Sequence, residues 1–223
     1  MKTRIQRRLV TFGCSNTYGS FLPGEMITQA KPSKYAWPAV LSNKLGIECV
    51  NKGIGGASNK LISYVLHNTT LYPTDIVVIL WTYVDRWSVI KSDTGIVTED
   101  DIQKYGPYSF VPEHDNIAAW SQDKLSKYYY KHIYDETDHI LDTKYRIDYA
   151  NLYLNNKGIK NYHAACSSIE SLVWTSIDNT NNHPLLLAIN YPKLQMIDKG
   201  TDNAHPGIKA HSAIADAFYK EIK

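Results

Sequence analysis

The chain has 223 residues, 43% of them hydrophobic, enough to bury a sizeable core and unlike the make-up of disordered or fibrous proteins. Its 24 basic and 22 acidic residues leave a net charge of +2 with no basic stripe, which argues against nucleic-acid binding. Three cysteines, Cys14, Cys49 and Cys166, have neither the number of a disulfide framework nor the spacing of a zinc site.

The basic start, residues 1–8, is followed by an apolar run (Leu9 to Phe12) too short for a signal peptide, and no segment approaches the ~20 apolar residues that span a bilayer. The expected location is therefore cytoplasmic, or a virus particle assembled there. Leu9 to Phe12 reads as a buried first strand feeding a turn at Gly13 that carries Ser15. Tyr35 to Leu45 has helical spacing, with Pro38 in the first turn and Gly46 as the stop. Ile47 to Val50 predicts a second strand, Asn51 to Gly56 a glycine-rich loop, and Ser58 to His67 a helix capped by Ser58. Asp75 to Leu80 is a continuous apolar run, the pattern of a strand covered on both faces.

Residues 91–117 carry glycines and prolines without periodicity and are expected to be an inserted loop. Residues 118–157 predict one long helix or two joined ones. Ile159 to Cys166 and Leu185 to Ile189 are the last candidate strands, and Ile208 to Ile222 a terminal amphipathic helix. Alternating strands and helices imply a single α/β domain over 1–223, a three-layer α/β/α sandwich on a mainly parallel sheet, with a Tyr-rich region around 91–157.

A nucleophilic serine needs a base, a group that orients the base, and donors for the oxyanion that forms on attack. Ser15 lies just past the carboxyl end of the first strand, where open α/β sheets place their sites. His205 is followed by Pro206, which holds the ring on a loop before the last helix, and Asp202 stands three residues earlier.

These residues resemble the SGNH/GDSL hydrolase superfamily, and the resemblance implies a flavodoxin-like fold. Gly13-Cys14-Ser15 is similar to its first block, Asn51-Lys52-Gly53-Ile54-Gly55-Gly56-Ala57-Ser58 to its second, and Asp202-Asn203-Ala204-His205-Pro206 to its last. Ala36-Trp37-Pro38-Ala39-Val40-Leu41 is also similar to a segment common in the family. The resemblance covers residues 9 to about 90 and about 185 to the end, and it implies Ser15 as nucleophile, His205 as base, Asp202 as the orienting carboxylate, and the amides of Ser15 and Gly56 as oxyanion donors.

Two departures stand out. The third block of the family, Gly-x-Asn-Asp, is replaced by Leu80-Trp81-Thr82-Tyr83-Val84-Asp85-Arg86-Trp87, which lacks the donor asparagine, so Thr82, Tyr83, Asn59 and, last, Arg86 become candidate donors. Cys14 takes the place of the usual Asp.

His183-Pro184 repeats the His-Pro pair but has Thr180 three residues before it, so no carboxylate orients that ring. The Gly53 to Gly56 segment lacks the spacing of a dinucleotide loop. Asp135, Asp138, His139 and Asp142 share one helical face, which reads as solvated, with Lys131 placed to pair with Asp135; no metal is expected. The tyrosines of the middle third either line a sugar-binding cleft or protein interface or pack a helix on the sheet. The implied function is a cofactor-independent serine esterase acting on a small-molecule or carbohydrate ester, with an O-acyl sugar preferred. The alternative is a non-catalytic SGNH-like binding or structural module of a phage particle, because the opening Gly-Cys-Ser-x-Thr-Tyr-Gly is similar to proteins of phage and bacterial genomes.

Overall fold

Two apolar runs become the central strands of the sheet. In the computed structural model, which describes residues 7–23, 32–91, 114–166, 187 and 189–223, β1 (Arg8–Gly13) and β3 (Ile76–Trp81) are buried along their whole length. They lie between β2 (Glu48–Gly53) and β6 (Lys160–Ala165) in a four-stranded parallel sheet of order β2-β1-β3-β6. Flanked by neighbours on both edges and by helices on both faces, such strands need no polar alternation.

The connections are α1 (Ser15–Tyr18), α2 (Trp37–Leu45), α3 (Asn59–His67), α4 (Lys124–His132), α5 (Glu136–Asn156), α6 (Tyr191–Leu194) and α7 (Ile208–Ile222). The crossover from β1 to β2 runs one way along the sheet, and those from β2 to β3 and β3 to β6 run the other. Right-handed crossovers therefore place α2 on one face and α3 and α5 on the other. Trp37 of α2 stacks on Phe218 of α7 with centroids 4.8 Å apart, which sets the terminal helix beside α2. Both rings are fully buried, each contributing ~1.5–3 kcal/mol or more on area grounds. The three-layer α/β/α architecture is the expected one.

Ser58 caps α3 by accepting from Leu61 N–H at 3.2 Å, as its sequence position implies. The second strand runs to Gly53, three residues past its expected end, because Asn51 clamps it to α1: its Nδ2 donates to Thr17 O at 2.8 Å and its Oδ1 accepts from Gly53 N–H at 2.8 Å. Gly53 is obligatory at this closure, since a side chain there would collide with the backbone of Thr17 and Tyr18. The region 118–157 resolves into two helices, α4 capped by Asp123 and α5 by Asp135.

The expected loop over 91–117 needs one correction: His114–Ile117 is a strand, β5, paired antiparallel with β4 (Trp87–Ile90). Neither four-residue strand has an alternating pattern long enough to read alone. Gly95, Gly106, Pro107, Pro112, Tyr105 and Tyr108 lie outside the described residues, as do Thr180, His183, Pro184 and most of Leu185 to Ile189. Within that last stretch, Leu187 N–H donates to His163 O at 2.8 Å, so the chain passes along the free edge of β6.

Candidate active site

The strand order reverses between β1 and β3, and the crevice outside their carboxyl ends is where open α/β sheets bind ligands. Here β1 ends and the chain turns at once into α1. Cys14 O accepts from Thr17 N–H (2.9 Å) and Tyr18 N–H (3.0 Å), and Gly19, at φ 86°, ends the turn. Ser15 is the first residue of α1 and 6% exposed.

His205 and Asp202 reach the same place from the far end of the chain. Their loop, residues 198–207, is closed by an isolated bridge between Lys199 and Pro206 and by Gly200 N–H donating to His205 O at 2.8 Å. Asp198 ties the loop to α7. Its carboxylate accepts from Lys209 N–H (3.0 Å) and Ala210 N–H (2.7 Å), and its carbonyl from Gly207 N–H (2.9 Å). At the tip, Asp202 Oδ1 accepts from Ala204 N–H (3.1 Å) and His205 N–H (3.0 Å).

The three side chains form a connected line. His205 Nδ1 lies 2.5 Å from Asp202 Oδ2, and His205 Nε2 lies 3.1 Å from Ser15 Oγ. Partial burial pushes the Asp202 carboxyl up, but hydrogen bonds from the His205 ring and from the amides of His205 and Ala204 outweigh it and bring it down to about 2. An ionised Asp202 can only accept, so Nδ1 carries the imidazole proton and Nε2 is left as the acceptor facing the serine hydroxyl.

Phe21 closes the outer side of His205, its ring centroid 4.8 Å from the imidazole. It is 40% exposed and holds a left-handed backbone, φ 63°, unusual for an aromatic residue. Thr201 N–H and Oγ1–H both donate to Phe21 O, at 3.0 and 3.1 Å, so the loop that carries the histidine also holds Phe21. No sequence motif signals this contact.

The amides of Ser15 and Gly56 donate to no group among the described residues. The side-chain candidates fare differently. Asn59 spends both amide protons, on Thr82 O (3.2 Å) and Thr143 Oγ1 (3.1 Å), while its Oδ1 accepts Thr82 N–H (2.8 Å). It braces the third-block loop and has no proton left for an oxyanion, contrary to expectation. Tyr83 Oη donates to Gln195 Oε1 at 2.9 Å, and burial pushes its phenol up to about 12. The Thr82 hydroxyl is buried with no oxygen or nitrogen partner among the described residues and faces the Cys14 sulfur. Arg86 lies between the Tyr83 and Trp120 rings, 5.0 and 4.7 Å from their centroids.

Cys14 points away from solvent into the core, where a hydrogen bond from Cys166 holds its thiol below the ordinary range despite burial, with Arg86 and Thr82 helping. Burial, and then Cys14 itself, push Cys166 up.

The acidic helical face holds no metal cluster. Asp135 caps α5, Asp142 pairs with Arg146 at 2.6 Å, and His139 is buried, its Nδ1 on Val84 O (2.8 Å) and its Nε2 accepting from Tyr129 Oη (2.7 Å). Among the described residues no group of three or more metal-ligating side chains converges. Asp135 thus serves its own helix rather than Lys131. Two tyrosines of α4 pack toward the third-block loop: Tyr129 meets Trp87 and His139, and Tyr130 donates to Asp85 O, whereas Tyr128 is exposed beside His132.

No family model matches the chain, and no curated protein matches it. Solved structures do. An acetyl xylan esterase from the rumen bacterium Butyrivibrio proteoclasticus superposes with a TM-score of 0.52 at 10% identity, over 100% of this chain and 65% of that one, so this chain spans about two thirds of its length. A protein ascribed to the lipolytic G-D-S-L family, from Desulfitobacterium hafniense DCB-2, matches at a TM-score of 0.49 and 14% identity over 96% of this chain and 98% of that one. The chain therefore has the α/β/α fold seen in the acetyl xylan esterase, the architecture that its SGNH/GDSL-like blocks imply.

Proposed function

We propose that the chain is a serine esterase that hydrolyses a carboxylic ester through an acyl-enzyme. The observation that carries this reading is the continuous line from Asp202 through His205 to Ser15, with both contacts inside the reach of proton transfer. As Ser15 Oγ attacks the acyl carbon its proton passes to His205 Nε2, and the imidazolium is stabilised by Asp202. The carbonyl oxygen, now an anion, is met by the free amides of Ser15 and Gly56. Collapse expels the alcohol, which takes the proton from His205, and water then repeats the sequence on the acyl-enzyme.

A small O-acyl group on a carbohydrate is the substrate class we favour. Support comes from the aromatic and polar surroundings: Phe21 lies against His205, and Tyr83, Arg86 and the 57% exposed Trp120 form a ladder on the third-block loop.

The test is a serine-directed phosphonate together with a short activated ester. Wild type is expected to be labelled and to hydrolyse the ester, Ser15→Ala to do neither, and His205→Ala to be nearly inactive while His183→Ala stays near wild type. Equal labelling of wild type and Ser15→Ala would remove Ser15 as nucleophile, and a wild type that is neither labelled nor active would favour a non-catalytic module.

A further inference from the structure

We propose that Asn116, on β5, is the side-chain oxyanion donor of this chain, standing where the third block offers no asparagine; the inference rests on the esterase reading above. A line of buried hydroxyls fixes the orientation of its amide. Leu61 N–H donates to Ser58 Oγ (3.2 Å), Ser58 Oγ–H to Ser88 Oγ (2.8 Å), and Ser88 Oγ–H to Asn116 Oδ1 (3.0 Å). Each hydroxyl has one proton, and an amide oxygen can only accept. Ser88 must therefore spend its proton on Asn116, and Ser58 must spend its own on Ser88. Both serines are fully buried, so no solvent competes for these protons.

With Oδ1 held at Ser88, the NH2 group faces the second-block loop. Nδ2 lies 3.4 Å from Gly55 O, a long contact that engages at most one of its two protons. It also lies over Gly56: a methyl group on that residue would come within 2.8 Å of Asn116 Nδ2. Gly56 needs to be glycine twice over, for its φ of 74° and for the room that the amide occupies. The loop itself is anchored beside the nucleophile turn, because Ile54 N–H donates to Gly13 O at 3.0 Å. A side-chain N–H group is thus placed beside Gly56, while the protons of Asn59 and Tyr83 are committed elsewhere.

In the reaction, the Oγ–C bond forms as the C=O π pair moves onto oxygen, and that oxygen accepts from Ser15 N–H, Gly56 N–H and Asn116 Nδ2–H. When the C=O re-forms and the alcohol leaves, all three donors are released unchanged. Arg86 is the rival, since its Nε and Nη1 are buried without a partner among the described residues. Its guanidinium is held between two rings, however, whereas the Asn116 amide fills the space where a side chain on Gly56 would lie.

Steady-state kinetics on an activated ester decide the matter. Asn116→Ala is expected to lower kcat by ~10²–10³ and leave KM within about threefold, the mark of an interaction made in the transition state. The near-isosteric Asn116→Asp keeps an acceptor for Ser88 but has no proton to give at neutral pH. It should show the same loss with an unchanged melting temperature, and it carries the test if the alanine variant fails to fold. A kcat for both folded variants within about threefold of wild type, or a loss confined to KM, overturns the assignment. So does a hundredfold loss in Arg86→Gln with Asn116→Asp unaffected. A wild type that neither hydrolyses ester nor reacts with phosphonate at Ser15 removes the esterase reading and this inference together; an active wild type with an indifferent Asn116 removes only the donor.

Discussion

At the residue scale, the chemistry depends on one proton being in the right place. Asp202, with its carboxyl brought down to about 2, stays ionised across any working pH and holds His205 in the tautomer that accepts from Ser15. Loss of activity on acidification should therefore not come from protonation of this carboxylate. Replacing Asp202 by Asn keeps the shape but offers Nδ1 either a proton or a weaker acceptor. We expect kcat to fall by ~10²–10⁴ with the melting temperature nearly unchanged, measured by ester hydrolysis and thermal unfolding. A loss smaller than tenfold would mean that Phe21 and the loop, not the carboxylate, orient the ring.

At the scale of elements, two ties hold the site's frame. Asp198 joins the loop of residues 198–207 to the start of α7 through two amides and its own carbonyl. Asp198→Ala should cost ~1–2 kcal/mol as a lost cap and also lower kcat, because the freed loop carries both Asp202 and His205. A variant that lost stability but kept full kcat would show that the bridge between Lys199 and Pro206 suffices. At the opposite end of the sheet, Arg8 of β1 pairs with the buried Asp75 that precedes β3, Nε to Oδ1 at 3.0 Å and Nη2 to Oδ2 at 2.7 Å, and Asp75 also accepts Tyr72 N–H. Removing the carboxylate leaves a mostly buried guanidinium, and Asp75→Ala should cost ~3–5 kcal/mol in urea unfolding. A cost under 1 kcal/mol would place that charge in water instead.

At the scale of the whole molecule, one buried histidine links pH to stability. His211 of α7 is fully buried, its Nδ1 accepts from Trp37 N–H at 3.0 Å, and its Nε2–H has no partner among the described residues. Burial lowers it to about 4, with Asp198 opposing and His205 adding to the shift. The unfolded chain takes up this proton near pH ~6.5 and the folded one only near 4, so stability is full above 6.5 and declines as pH falls between the two. From pH 7 to 5 the linked loss is about 2 kcal/mol. Urea unfolding at the two pH values should show it in wild type and not in His211→Leu, even if that variant is less stable overall. An equal pH dependence in both would assign the loss to other groups.

The sequence by itself determined the four strands of the sheet and most of its helices, because a short apolar run such as Ile76 to Leu80, entered from Pro73, fits a strand covered on both faces, and because Ser58 and Gly46 mark helix ends by local chemistry. It also marked Ser15, Asp202 and His205, whose residue types and spacing suffice to suggest a charge-oriented nucleophile. Only the tertiary structure decided what depends on meetings between distant segments. Asn59 looks like a free donor until Thr82 and Thr143 take both of its protons. Phe21 and Asn116 carry no local signal, the one lying against a ring 184 positions away and the other over a glycine 60 positions away. Helix caps and strand burial are properties of neighbouring residues, whereas a hydrogen-bond proton is a finite resource whose recipient is settled only when every competing acceptor is in place.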